Sequence, residues 1–129
     1  MFVDDSEDIL ATIERMFFKE DLIKIITASS PELALKLISS TDLNLIVTDI
    51  KMPNMHGLEL IEKIRKIKPD IPIIIFTGFR GMKEDYIVRL YNIEAYFIKP
   101  VDWNQLFKKV KQMSSSVKIP VKRKKGPSE

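Results

Sequence analysis

The chain has 129 residues, of which 45% are hydrophobic and 30% are charged, with no cysteine and one histidine. This is enough chain for one globular domain with a sizeable core. The lack of cysteine excludes disulfide bonds, thiol catalysis and thiolate metal sites, and a single histidine, His56, excludes a metal site built from several histidines.

Basic residues are concentrated at the carboxyl end of the chain. Residues 118–129 hold five lysine and arginine residues and one glutamate, so the net charge falls from +3 to −1 without them. We expect a nearly neutral domain over residues 1–113 and a basic flexible tail or linker over residues 114–129. Such a tail could also bind nucleic acid or an anionic membrane non-specifically, although a solvated linker is the expectation.

The other end of the chain is acidic, unlike the basic start of a signal peptide. No apolar run reaches the roughly 20 residues that a membrane span needs. We therefore expect a cytoplasmic protein without membrane contact.

Strand-like runs alternate with helical ones along the chain. The first run has only three residues, so we expect a short first strand; Ser6 and Ser30 are predicted N-caps of the first two helices. The predicted strands are Met1–Val3, Ile23–Thr27, Leu43–Thr48, Ile71–Phe76 and Ala95–Ile98. The apolar stripes of the first three predicted helices run from Ile9 to Phe17, Leu33 to Ile38 and Leu58 to Ile67. The last two helices are predicted from about Lys83 to Tyr91 and from about Asp102 to Met113. This alternation predicts an α/β protein with a five-stranded parallel sheet and helices on both faces.

Five polar residues follow the predicted strands directly: Asp4, Asp5, Asp49, Thr77 and Lys99. The carboxyl ends of strands form the ligand crevice of an open α/β sheet, so we expect these side chains to share one site. Three carboxylates repel one another unless a cation joins them. The combination suits Mg²⁺-dependent phosphoryl chemistry at an aspartate.

Four short motifs at these strand ends, in this order, resemble the receiver domain of two-component response regulators. They are Val3-Asp4-Asp5, the stretch Val47–Gly57 around Asp49, Phe76-Thr77-Gly78, and Tyr96-Phe97-Ile98-Lys99-Pro100. The resemblance covers residues 1 to about 113. It implies a doubly wound, flavodoxin-like sheet of order 2-1-3-4-5 with five helices.

The resemblance also implies a role for each site residue. Asp49 would take a phosphoryl group from a histidine kinase or phosphotransfer protein, and Thr77 and Lys99 would contact that group. Mg²⁺ would be bound by Asp5, Asp49 and the backbone carbonyl of Lys51, with Asp4 acting through a metal-bound water. The chain would be a switch that catalyses only its own phosphotransfer and dephosphorylation, rather than a metabolic enzyme.

Signalling would follow from movement of Thr77 towards the phosphoryl group, which lets Tyr96 turn from an exposed to a buried position. The switched surface would be formed by helix four, strand five and helix five. Its residues would include Lys83, Tyr86, Arg89, Leu90, Tyr96, Trp103 and Lys108. The resemblance further implies a cis peptide bond before Pro100. Phe79, two residues after Thr77, is expected to shield the acyl phosphate from water.

Expected partners are the kinase and a downstream output domain or effector, with no nucleic-acid contact by the domain itself. The chain would be a monomer or a phosphorylation-dependent homodimer. One alternative is an unphosphorylated interaction module, although such proteins usually lack one of the five site residues. Another is a phosphohydrolase of the haloacid dehalogenase type, but that class has an acid where this chain has Lys51.

Overall fold

The computed structural model describes residues 1–53, 55–78 and 84–118. Five strands form one parallel sheet of order β2-β1-β3-β6-β7, and β4 and β5 form a separate antiparallel hairpin. The strands are β1 Phe2–Val3, β2 Thr27–Ala28, β3 Ile46–Thr48, β4 Lys51–Met52, β5 Met55–His56, β6 Ile73–Thr77 and β7 Ala95–Ile98. The helices are α1 Glu7–Phe17, α2 Pro31–Ser40, α3 Gly57–Ile67, α4 Glu84–Tyr91 and α5 Trp103–Lys118. The predicted fold class and strand order are confirmed.

Alternating side chains of the central strand β6 enter two different cores. Ile73 and Ile75 pack in one core with residues of α2, α3 and α4. Ile74 and Phe76 pack in the other core with residues of α1 and α5. Successive side chains of a strand point to opposite faces, so a continuous apolar strand requires helices on both sides of the sheet.

The N-caps of α1 and α2 agree with the sequence prediction. The Ser6 hydroxyl accepts a hydrogen bond from the backbone N–H of Ile9, and the Ser30 hydroxyl accepts one from that of Leu33. Pro31 occupies the first turn of α2, where a missing N–H costs nothing. These caps fix where the chain turns from the strand ends into the two helices.

Several predicted limits differ from the structure. The second strand was expected over Ile23–Thr27 but is Thr27–Ala28, because β1 is short and offers few residues to pair with. The third strand begins at Ile46 rather than Leu43. The β4–β5 hairpin was not predicted. The fifth helix continues to Lys118 instead of ending near Met113, through three serines; the domain boundary at residue 113 stays a prediction.

The amino end of the short strand β1 is buried. The α-amino group of Met1 donates a hydrogen bond of 2.7 Å to the carbonyl oxygen of Leu45, and burial lowers its pKa from 8.0 to about 5. The Met1 carbonyl accepts from the N–H of Val47. The interior strand therefore keeps pairing with β3 up to its first residue.

Arg65 of α3 joins three segments at the amino-end side of the sheet. Its guanidinium donates hydrogen bonds to the carbonyl oxygens of Tyr91 at 3.1 Å, Ile71 at 2.6 Å and Asn92 at 3.0 Å. Asn92 has a φ of 56° and ends α4 in the left-handed conformation that asparagine tolerates. This set of three Arg65 bonds, the Arg65 clamp, fixes the carboxyl end of α4 against α3.

No helix in the described part of the chain has the length and apolar character to cross a membrane.

Candidate functional site

Three carboxylates meet at the carboxyl edge of the sheet. Asp4 and Asp5 follow β1, and Asp49 follows β3, which is hydrogen-bonded to β1. One oxygen of each of the three lies within 4.8 Å of the others. Asp4 and Asp49 are buried, with 2% and 5% of their surface exposed, whereas Asp5 is exposed. The site is thus a small acidic depression with one side open to solvent.

Asp49 is held by three donors. Its Oδ1 accepts hydrogen bonds from the backbone N–H groups of Ile50 at 2.7 Å and Lys51 at 3.1 Å. Its Oδ2 accepts one of 3.0 Å from Nζ of Lys99. The two backbone bonds fix Oδ1. Among the described residues, Lys99 is the only cation with a resolved bond to this carboxylate, and it contacts Oδ2. The side chain therefore has one defined orientation in the depression.

Asp4 is bonded to the same lysine. Its Oδ2 lies 2.8 Å from Nζ of Lys99, and its Oδ1 accepts from the backbone N–H of Ser6 at 2.9 Å. Burial raises the pKa of Asp4 above 3.8, and the negative charge of Asp49 adds to this, although the bonds from Lys99 and Ser6 oppose it. Ionised Asp4 is consequently less favourable in the folded protein than in water.

Burial alone would lower the pKa of Lys99, but its hydrogen bonds to Asp4 and Asp49 and their negative charges outweigh that effect and raise it above 10.5. The ammonium group is therefore fully charged at neutral pH. It reaches the site from the end of β7, next to β6 in the sheet.

Thr77 ends β6 with its side chain fully buried. Its carbonyl oxygen accepts a 2.8 Å hydrogen bond from the backbone N–H of Lys99, which ties the two strand ends together. Tyr96 is partly buried and packs against the core that contains α2, α3 and α4. The Lys99–Pro100 peptide bond is cis, as the resemblance implied.

The structure brings Asp4, Asp5, Asp49 and Lys99 into one cluster and puts Thr77 beside it. The side chain of Lys51 is exposed, while its backbone N–H bonds to Asp49. Lys83 and Phe79, predicted for the switched surface and for shielding, lie outside the described residues.

Two contacts at the site were not found from the sequence. Thr48 is fully buried, and its hydroxyl donates a 2.9 Å hydrogen bond to the backbone carbonyl of Asp49. Phe76 turns its ring towards Lys99, with Nζ 4.9 Å from the ring centroid. Thr48 directly precedes Asp49, and Phe76 directly precedes Thr77. This adjacency to a predicted site residue was the feature of the sequence that pointed to them.

The oxygen ligands of this site fit a small divalent cation. Carboxylate oxygens are hard ligands of the kind that Mg²⁺ prefers, and three within 4.8 Å can share one ion. Asp5 is exposed, so one side of such an ion would keep water ligands, as Mg²⁺ usually does.

Comparison with known proteins gives one family. Residues 1–111 match the family described as response regulator receiver domain. The response regulator SaeR of Staphylococcus aureus is 29% identical over 119 residues, covering 92% of this chain and 51% of that protein. The CAI-1 autoinducer sensor kinase/phosphatase CqsS of Vibrio cholerae is 30% identical over 113 residues, covering 85% of this chain and 16% of that protein. The chain spans at most about half the length of these curated relatives.

Solved structures share the fold over nearly the whole domain. A CheY-like response regulator receiver domain protein from Methanospirillum hungatei superposes with a TM-score of 0.81 at 29% identity, covering 91% of this chain and 93% of that one. The response regulator TrrA from Thermotoga maritima, solved in complex with Mg²⁺-BeF, has a TM-score of 0.75 at 32% identity, covering 87% and 95%.

Proposed function

The chain belongs to the response regulator receiver domain family of two-component signalling, and from this premise we propose that Asp49 is its phosphoryl acceptor. The observation that carries the proposal is the orientation of the Asp49 carboxylate. Two backbone N–H groups hold Oδ1, so Oδ2 is the oxygen that accepts from Lys99, within a cluster that also holds the carboxylates of Asp4 and Asp5. A nucleophile that is fixed in this way loses little freedom when it attacks.

Mg²⁺ is the proposed cofactor, held by Asp5, Asp49 and the backbone carbonyl of Lys51, with Asp4 acting through a bound water. The carboxylate spacing and the complex of the TrrA protein with Mg²⁺-BeF support this choice. When bound, the ion neutralises negative charge on the transferred phosphoryl group.

The proposed reaction moves a phosphoryl group from a phosphohistidine of a partner kinase to Asp49. One carboxylate oxygen attacks phosphorus, the phosphorus–nitrogen bond of the donor breaks, and the imidazole leaves with its bonding electron pair and takes up a proton. The product is an acyl phosphate. Lys99 pairs with a phosphoryl oxygen once its bond to Asp49 is exchanged, and the Thr77 hydroxyl donates to another. Water later attacks the acyl phosphate, which releases inorganic phosphate and regenerates the Asp49 carboxylate.

The proposed output is a change in the surface formed by α4, β7 and α5. Thr77 and Tyr96 are its switch residues, because Thr77 lies at the site and Tyr96 lies on the adjacent strand, two residues before Ile98, the register partner of Thr77. On α4, Tyr86 and Leu90 are 61% and 55% exposed, which leaves apolar area for a partner. That partner would be an output domain, an effector or a second phosphorylated copy of the chain. We place the protein in the cytoplasm, where such kinases deliver phosphoryl groups.

The test is phosphorylation by phosphoramidate with and without Mg²⁺, read by intact mass. Wild type is expected to gain one Mg²⁺-dependent phosphoryl group that hydroxylamine removes, as an acyl phosphate requires. Asp49→Asn should gain none. Asp42→Asn is the matched control, because Asp42 lies in the loop before β3, at the amino-end side of the sheet.

A folded wild-type protein that gains no phosphoryl group would refute the proposal and favour the unphosphorylated interaction module. A phosphoryl group that persists in Asp49→Asn would assign the acceptor to another residue. Release of inorganic phosphate from generic phosphoesters would instead favour the phosphohydrolase.

A further inference from the structure

The ring of Phe76 forms one wall around the Lys99 ammonium. Nζ of Lys99 lies 4.9 Å from the ring centroid, within the range in which an aromatic face attracts a cation. Phe76 is only 3% exposed, and the Lys99 side chain is 22% exposed, so little water screens the contact. The same ammonium is bonded to Asp4 and Asp49. Two carboxylates and one aromatic ring thus surround it.

Strand alternation explains why the ring and the ammonium meet. Phe76 packs in the α1 and α5 core, and Phe97, its register partner on β7, packs in the same core. Lys99 follows Phe97 by two residues and therefore leaves the sheet on the same side. The two side chains are neighbours because β6 and β7 are adjacent and in register.

Trp103 packs against the ring of Phe76, the aromatic partner in the contact with Lys99. Its ring and that of Phe76 are 5.6 Å apart at 72°, an edge-to-face arrangement. Trp103 is the first residue of α5 and the only tryptophan of the chain. The aromatic pair therefore connects the ammonium to the amino end of α5.

We propose that Phe76, braced by Trp103, is a positioning residue that holds the Lys99 ammonium in place for phosphoryl transfer to Asp49; this inference rests on the proposed function. An ammonium has three N–H donors, and the carboxylates take two of them. When the bond to Asp49 is exchanged for a phosphoryl oxygen, the ring still attracts the cation as a whole. The ring thus keeps Lys99 near the transferred group without competing for a hydrogen bond.

The first experiment compares Phe76→Leu with Phe17→Leu in the phosphoramidate reaction. Phe17 is the matched control, since it is equally buried at 3%, belongs to the same core and lies on α1. We expect the rate at saturating phosphoramidate to fall about three- to tenfold in Phe76→Leu. The donor concentration for half-maximal rate should stay nearly unchanged. Phe17→Leu should lose stability but keep the wild-type rate.

A second experiment separates the charge attraction of the ring from its packing. Phenylalanine, 4-fluoro-phenylalanine and 3,4,5-trifluoro-phenylalanine are placed at position 76 by nonsense suppression. Fluorine withdraws electron density from the ring face with little change of shape, so the rate should fall stepwise with fluorine number. Equal rates across the series, or equal losses in the two leucine variants, would overturn the inference.

A readout without phosphorylation keeps the inference testable even if Asp49 is not the acceptor. The ε-methylene protons of Lys99, next to the ring face, should resonate upfield in the wild-type NMR spectrum and return to ordinary positions in Phe76→Leu. Ordinary shifts in wild type would overturn the inference. A wild type with shifted methylene protons and no phosphorylation would refute the proposed function alone.

Discussion

Nζ of Lys99 lies 2.8 Å from Oδ2 of Asp4, so two residues 95 positions apart in the chain form a partly buried ion pair. The pair affects its two members differently. The Asp4 side chain is 3% exposed and that of Lys99 is 22% exposed, so desolvation weighs more on the carboxylate. For Asp4, burial exceeds the attraction of the cation, whereas for Lys99 the two carboxylates exceed burial.

Replacing this lysine should make the protein depend on Mg²⁺ for stability. Lys99→Met leaves Asp4 and Asp49 buried without the ammonium that now bridges them. Without Mg²⁺ we expect the free energy of unfolding to fall by about 2 kcal/mol, since one member of a buried pair is lost. Mg²⁺ should restore more stability to the variant than it adds to wild type. Urea denaturation with and without Mg²⁺ measures both effects.

Lys63→Met is the control for that comparison. Lys63 is 46% exposed and lies 3.7 Å from Glu59, as an ordinary surface pair. Its loss should change stability by less than about 0.5 kcal/mol. If Lys99→Met were as stable as Lys63→Met, the ion pairs in the depression would not stabilise the fold.

Asp5 should contribute to cation binding with little effect on the fold. Its side chain is exposed, whereas Asp4 and Asp49 are buried. Asp5→Asn removes one of three clustered charges, so Mg²⁺ affinity should fall by about tenfold, or roughly 1.4 kcal/mol. Stability without Mg²⁺ should change by less than about 0.5 kcal/mol. Calorimetric titration with Mg²⁺ gives the affinity.

Asp8→Asn removes an equal charge from the exposed surface of α1 and is the matched variant. It should keep the wild-type Mg²⁺ affinity. An equal loss of affinity in both variants would mean that general negative charge, rather than the cluster, attracts the cation.

The strand-end rule was sufficient to predict which residues meet. The carboxyl ends of β1, β3, β6 and β7 lie at one edge of the sheet. Asp4, Asp5, Asp49 and Lys99 therefore converge there irrespective of the conformation of the connecting loops. Their chemical roles stay predictions until phosphorylation is measured. The contact between Phe76 and Lys99 could also have been predicted. Side chains alternate between the two faces of a strand, and this alternation places both residues on the same face of adjacent strands.

Other features had weaker signals in the sequence. The isoleucines of residues 23–26 are partly buried, since Ile23 and Ile25 pack against one core and Ile26 packs against the other. This run is nevertheless outside β2, because an apolar pattern reports burial and not backbone pairing. The β4–β5 hairpin has two residues per strand, too few for a period. The three bonds of Arg65 depend on where distant loops end, which no local pattern contains.

The Arg65 clamp should need a guanidinium rather than a positive charge. Arg65→Lys keeps the charge, but an ammonium lacks the planar fork that reaches three carbonyl groups. We expect the free energy of unfolding to fall by about 2 kcal/mol, with faster amide exchange in α4. Chemical denaturation and hydrogen exchange measure these effects. Lys66→Met, at the exposed next position, should change neither; equal stability of Arg65→Lys and wild type would rule out the clamp.

A chain that begins at Met1 should lose stability as the pH falls from about 8 to about 5. Burial lowers the pKa of the α-amino group from 8.0 to about 5, so in this range the unfolded chain binds a proton that the folded chain does not. Protons therefore favour unfolding, and the contribution is complete above pH 8 and lost near pH 5. At about 1.4 kcal/mol per pKa unit, the loss reaches up to about 4 kcal/mol. Denaturation at several pH values measures it, with an acetylated α-amino group, which cannot bind the proton, as the control. An equal pH slope in the acetylated chain would assign the effect to other groups.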